Sequence, residues 1–120
     1  MTNCTEKILD KEVIKEFIKK LAGELKMQII LGPEVVDGVE ENPGITAFTI
    51  VDFSHISIHT FSNDMECFID IFSCKPYESD KVIQLCKEYF ATNNSEYRQK
   101  EVWWGEWGKK GGVLKAPRLF

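Results

Sequence analysis

Residues 54–61, SHISIHTF, and 65–73, MECFIDIFS, are two alternating runs joined by the turn-forming Ser62, Asn63 and Asp64. Successive side chains of a strand point to opposite faces. A short turn between two such runs folds them into an antiparallel hairpin. Ile56 and Ile58 then share one face with Ser54 and Thr60, and on the partner run Ile69 and Ile71 share a face with Cys67. The economical arrangement packs the four isoleucines inward, which obliges the chain to supply a layer to cover them. The other face carries His55, Ser57, His59, Asp70 and Cys74.

Helices are the natural cover. DKEVIKEFIKKLAGELKM reads as a helix capped by Asp10, with Val13, Ile14, Phe17, Ile18, Leu21 and Leu25 on one apolar face. KPYESDKVIQLCKEYFA predicts a second, with Ser79 as N-cap and Val82, Ile83, Cys86, Tyr89 and Phe90 facing inward. MQIIL (27–31) and ITAFTIV (45–51) read as strands, with a break near Asp52 and Phe53. GPEVVDGVEENPG between them reads as a loop by composition, and EYRQKEVWW carries a last strand. The chain is 120 residues long and 43% hydrophobic, enough for one core. The expected fold is α+β: a two-layer sandwich of one antiparallel sheet with two helices packed on one face. Residues 1–102 form that single domain, and 103–120 form a Trp/Gly-rich basic tail that reads as a flexible or docking segment.

The open face has chemical sense. Histidine moves protons near neutral pH, and a cysteine beside polar groups can act as acid or nucleophile. The plain alternative is a solvated histidine and a strand-end cysteine that serves as a small hydrophobe. Cys74 with His59 is the first nucleophilic pair to consider, but the sequence supplies neither an orienting third group nor an oxyanion hole.

As a joint pattern, SHISIHTF followed by FIDIFSC resembles the processing and catalytic region of the small prokaryotic S-adenosylmethionine decarboxylases, which are pyruvoyl-dependent proenzymes. The resemblance is strongest over residues 54–74 and looser from about Cys4 to Phe90. It implies that the chain cuts itself between Phe53 and Ser54. Ser54 would attack the preceding peptide bond, and elimination from the resulting ester would leave a pyruvoyl cofactor on residue 54. That carbonyl would form a Schiff base with the substrate amine and accept the electron pair released with CO2. By the same resemblance His59 assists processing, Thr46 stands where a serine usually supports it, and Cys74 donates the proton after decarboxylation. Phe61 would stack on adenine, and Asn63 stands where a carboxylate usually binds the ribose hydroxyls. Phe53 replaces an acidic residue, and Lys75 replaces glycine. Ser54 and His59 are five residues apart, so a regular strand sends them to opposite faces. Either the backbone is irregular near Ser54, or the two do not meet as the resemblance implies.

The implied function is a self-cleaving decarboxylase of S-adenosylmethionine in polyamine biosynthesis. Two alternatives stay open. Asn63 favours a pyruvoyl-dependent decarboxylase of arginine or ornithine on the same scaffold. A non-processing homologue that binds a ligand or partner is the other. The resemblance implies a homodimer or larger assembly, with the active site near the interface. Trp103, Trp104 and Trp107 read as strand aromatics packed onto the sheet or, alternatively, as that subunit contact, and the basic residues after Gly105 could meet the acidic stretch 34–41 of a neighbour.

Composition bounds the rest. A net charge of −4 and a pI of about 5.2 argue against a nucleic-acid partner. No apolar run has membrane-spanning length, and MTNCTEKILDKEVIKEF has no signal-peptide pattern, so a cytoplasmic protein with free thiols is expected. No cysteine–histidine spacing predicts a metal.

Overall fold

A computed structural model describes residues 1–107 and 112–119, with side chains through residue 102. A short 3-10 turn (Glu6–Leu9) leads into α1 (Lys11–Glu24). Four strands follow: β1 (Ile29–Val39), β2 (Asn42–Val51), β3 (Ser54–Phe61) and β4 (Glu66–Ser73). Then come α2 (Ser79–Phe90), β5 (Gln99–Trp107) and β6 (Gly112–Leu119). The strands form one six-stranded antiparallel sheet in the order β1-β2-β3-β4-β6-β5, with both helices on one face. This is the α+β sandwich expected from the pattern.

The alternation of β3 and β4 decides which face is covered. Ile56, Ile58, Ile69 and Ile71 are buried with Phe17, Ile18, Leu21, Val82 and Phe90 of the helices in one core. Phe17 of α1 meets Phe90 of α2 with ring centroids 4.8 Å apart. Asp10 caps α1 as expected, accepting from the N–H groups of Glu12 (2.9 Å) and Val13 (3.3 Å). The other end of α1 closes through Lys26, at φ +56°, in a left-handed conformation usually given to glycine. Lys26 N–H donates to Gly23 and Met27 N–H to Ala22, which satisfies the last carbonyls.

Several expectations are corrected. The stretch read as a loop between 32 and 44 is a β1–β2 hairpin, and its acidic residues 34–41 run on a strand and its turn. Gly and Pro suggested a loop, but Gly32, Pro33 and Gly38 sit at irregular positions of the edge strand β1, where the ladder tolerates them, and Pro43 and Gly44 lie at the start of β2. Gly44 (φ +157°) lies so close to the Thr60 carbonyl of β3 that no side chain fits. Ser79 is the first helical residue and not the cap. Glu78 occupies the cap position, and the Ser79 hydroxyl instead donates to Glu101 at 2.7 Å. The backbone of 112–119 is not a loose tail but a strand between β4 and β5. The side chains of Trp103, Trp104, Trp107 and the tail's basic residues lie outside the described residues.

Candidate active site

β2 and β3 are joined by two residues only, because Val51 pairs with Ser54. Tight hairpins of this length demand positive φ, which Asn or Gly supplies easily. Here Phe53 takes φ +114°. For a residue with a side chain that conformation costs on the order of 1–3 kcal/mol and persists only where neighbours impose it. Three contacts impose it here. Asp52 exchanges hydrogen bonds with Gln28: the Asp52 N–H donates to the Gln28 carbonyl at 2.9 Å, and the Gln28 N–H donates to the Asp52 carboxylate at 3.0 Å. Lys75 places its ammonium 3.8 Å from Asp52 and 5.7 Å from the centre of the Phe53 ring, while donating to the Lys26 carbonyl at 2.9 Å. The Cys74 N–H donates to the Phe53 carbonyl at 3.0 Å.

The peptide unit before Ser54 is thus held out of its relaxed conformation, with a backbone donor on its carbonyl. Such a donor would strengthen its bond if negative charge developed on that oxygen. The Ser54 hydroxyl, on the next residue, donates to Ser73 Oγ at 2.9 Å. Ser73 was not singled out from the sequence. Its signal is arithmetic: once Phe61 pairs with Glu66 across the turn, antiparallel register puts Ser54 opposite Ser73.

A second cluster lies at the other end of β3. Thr46 pairs with His59 across β2 and β3, and Thr46 Oγ1 is 3.0 Å from His59 Nδ1. The tautomer of the ring decides which donates. Both side chains belong to the open face. Next to them Phe61, Glu66 and Phe68 line a cleft of about 350 Å3, bounded also by Glu96 and Arg98. Glu66 pairs directly with Phe61. The sequence reading missed this carboxylate. Asn63 instead lies exposed in the turn and does not line the cleft.

The predicted residues therefore fall into two groups. Phe53, Ser54 and Cys74 are together at one end of the hairpin; Thr46, His59 and Phe61 are together at the other. β3 is regular from Ser54 onward, so the parity question resolves against a meeting of Ser54 and His59 within one chain. Five residues of strand separate their Cα atoms by about 16 Å. His59 is also remote from Cys74: it pairs with Phe68, six residues before Cys74, or about 20 Å along β4. The Cys74–His59 pair does not exist within one chain.

The His55 ring is stacked between Phe48 and Phe72, 5.5 Å from each centroid. The other three thiols are buried and belong to the core. Cys4 and Cys67 lie with sulfurs 3.8 Å apart. The hydrogen bond with Cys4, followed by burial, pushes the Cys67 thiol far up, and burial pushes Cys86 up to about 12. Among the described residues no group of three or more His, Cys, Asp or Glu could hold a metal, and no helix is long and apolar enough to cross a membrane.

The profile of the family described as S-adenosylmethionine decarboxylase matches residues 1–101. This chain belongs to that family. Curated relatives include the S-adenosylmethionine decarboxylase proenzymes of Clostridium botulinum strains Langeland and Loch Maree. Each is 32% identical over 95 residues, covering 73% of this chain and 74% of the relative. No solved structure matches the chain. As a member of the S-adenosylmethionine decarboxylase family the chain carries a lyase scaffold, and its Ser54 and Cys74 segments both fall inside the matched range.

Proposed function

We propose that this chain is a proenzyme that cleaves itself between Phe53 and Ser54 and then decarboxylates S-adenosylmethionine with a pyruvoyl group formed from Ser54. One observation carries the reading: Phe53 is held at φ +114° with its carbonyl on the Cys74 N–H, directly before a serine hydroxyl. Ground-state strain and a waiting donor are what an N-to-O acyl shift needs. Ser54 Oγ attacks the Phe53 carbonyl carbon, the Cys74 amide stabilises the oxyanion, and the C–N bond breaks as the amine takes the hydroxyl proton. Loss of the Ser54 α-proton then breaks Cβ–Oγ, releasing residues 1–53 with a carboxylate end. Water converts the remaining dehydroalanine to a pyruvoyl group and ammonia.

The surroundings fit such a group, since residue 54 begins a strand at a chain turn beside Cys74. There the group would supply a carbonyl able to accept the electron pair of a departing carboxylate. Cys74, half-buried at the end of β4, is the nearby acid that returns a proton to the substrate carbon.

Thr46 and His59 assist cleavage from a second copy. Within one chain they face away from Ser54, and the open sheet face exposes Phe48 and Ile50 beside the half-buried Phe72. A two-fold pairing of such faces about an axis across the strands would bring the Thr46–His59 end of one copy to the Ser54 end of the other. The cleft between Phe61 and Glu66 suits a nucleoside, with an aromatic face for the base and a carboxylate for hydroxyls. The relatives' names favour S-adenosylmethionine over arginine or ornithine.

Intact mass spectrometry of freshly purified protein tests the cleavage. Two fragments meeting at Phe53 and Ser54 are expected, the second with a ketone end; one persistent 13.8 kDa chain would refute it. Release of CO2 from S-adenosylmethionine but not from arginine or ornithine tests the substrate.

A further inference from the structure

The hydrogen bonds around Ser73 single it out among the buried polar residues. It is 1% exposed, at the end of a strand face that also carries Cys67, Ile69 and Ile71. A buried hydroxyl is costly unless bonded. Ser73 Oγ makes three bonds: it donates to the Lys75 carbonyl at 2.7 Å, accepts from the Lys75 N–H at 3.0 Å, and accepts from the Ser54 hydroxyl at 2.9 Å. A hydroxyl has one donor and two acceptor sites, so all three are occupied.

We propose that Ser73 is a positioning residue for self-cleavage: its oxygen fixes the direction of the Ser54 O–H and so aims the Ser54 lone pairs for attack on the Phe53 carbonyl. This rests on the reading of Ser54 as the nucleophile. The direction follows from the count of sites. The Ser73 proton is committed to the short bond with the Lys75 carbonyl, so in the bond between the two serines Ser54 must be the donor. A hydroxyl that donates along a chain also gains electron density on its own oxygen. The chain ends in a backbone carbonyl, which cannot keep a proton. Ser73 therefore orients the nucleophile and is not its base.

The two bonds with Lys75 also form a local serine turn, and a turn alone would explain a serine here. The bond to Ser54 is what that explanation leaves over. It reaches 19 residues back along the chain and lands on the reacting atom.

The test follows cleavage of freshly made full-length protein by intact mass while a thermal melt reports folding. Ser73→Ala is expected to fold and to cleave about 10- to 100-fold more slowly, as for a nucleophile that has lost its alignment. Ser73→Thr keeps the hydroxyl and should restore the rate to within about threefold of wild type. Since Ser73 is not the base, the pH dependence of cleavage should keep its inflections while its plateau falls. Hydroxylamine, which cuts esters much faster than amides, should not rescue Ser73→Ala, because the ester is what fails to form. A folded Ser73→Ala protein that cleaves at the wild-type rate, or one that hydroxylamine restores, overturns the proposal. If the alanine variant does not fold, Ser73→Cys takes its place; the thiol fills the site but accepts weakly. Slow cleavage in that variant supports the role, and wild-type cleavage overturns it. A wild-type protein that never cleaves would instead defeat the reading of Ser54, and Ser73 with it.

Discussion

The two faces of β3 follow different rules. The face with Ile56 and Ile58 is sealed under the helices, while the face with His55, Ser57 and His59 stays half-exposed. On the sealed face Ile56 and Ile58 serve as apolar volume, and the buried Thr60 hydroxyl accepts from the Ile45 N–H at 2.9 Å. On the open face His59 is paired with Thr46 and His55 is stacked between two phenylalanines. Ser54 is the exception. It has the parity of the sealed face, yet it carries the proposed chemistry, because it lies at the very end of the strand where packing gives way to a turn. The proposed chemistry sits where the strand's regularity stops, one residue after the strained Phe53.

The sharpest way to break this contrast is Ser54→Ala. It should abolish cleavage and all CO2 release while leaving the fold intact, as read by mass, assay and circular dichroism. Cleavage that survives would end the account. Cys74→Ala keeps the backbone N–H on the Phe53 carbonyl, so processing should continue. Turnover of S-adenosylmethionine should fall by about 10²- to 10⁴-fold, the usual range for losing a general acid. A variant that processes and turns over normally would remove Cys74 from the reaction.

Division of labour between copies is tested by mixing. His59→Ala should cleave slowly alone, by about 10²-fold or more. Co-expressed with Ser54→Ala chains, part of it should cleave at the normal rate, because the partner supplies His59. Failure of any rescue would place the Thr46–His59 pair outside processing or return it to its own chain.

The packing side of the comparison gives smaller effects. Ile58, fully buried, should lose about 2–5 kcal/mol of stability when cut to alanine. Phe48, 43% exposed on the other face, should lose much less in the same melt and instead weaken self-association in sedimentation. Equal destabilisation by the two would contradict the division of faces. Smallest of all, Lys26→Gly relieves a left-handed lysine at the end of α1 and should raise stability by up to about 1 kcal/mol. A drop would mean that the stem of Lys26 contributes more by packing than its backbone loses by strain.

Much of this was readable from residue order. Alternation in 54–61 and 65–73 fixed which isoleucines are buried, and the apolar spacing of 13–25 with Asp10 before it marked α1 and its cap. The same local reading failed at 32–44, where glycine, proline and acidic residues resemble a loop but lie on a hairpin held by its pairing with β2. It failed by one residue at Ser79, whose hydroxyl serves Glu101 from another element. It also missed Ser73 and Glu66, because each takes its meaning from a residue across the turn.

What the sequence determined alone is periodic: a side chain's face follows from its parity, and parity needs no knowledge of the rest of the chain. What only the tertiary structure decided is the state of one peptide unit. The positive φ of Phe53, the Cys74 amide on its carbonyl and the hydroxyl chain from Ser54 through Ser73 to Lys75 depend on three segments closing on one another. Backbone strain of that kind has no local signature, since it exists only where distant contacts hold a residue in a conformation it would not choose.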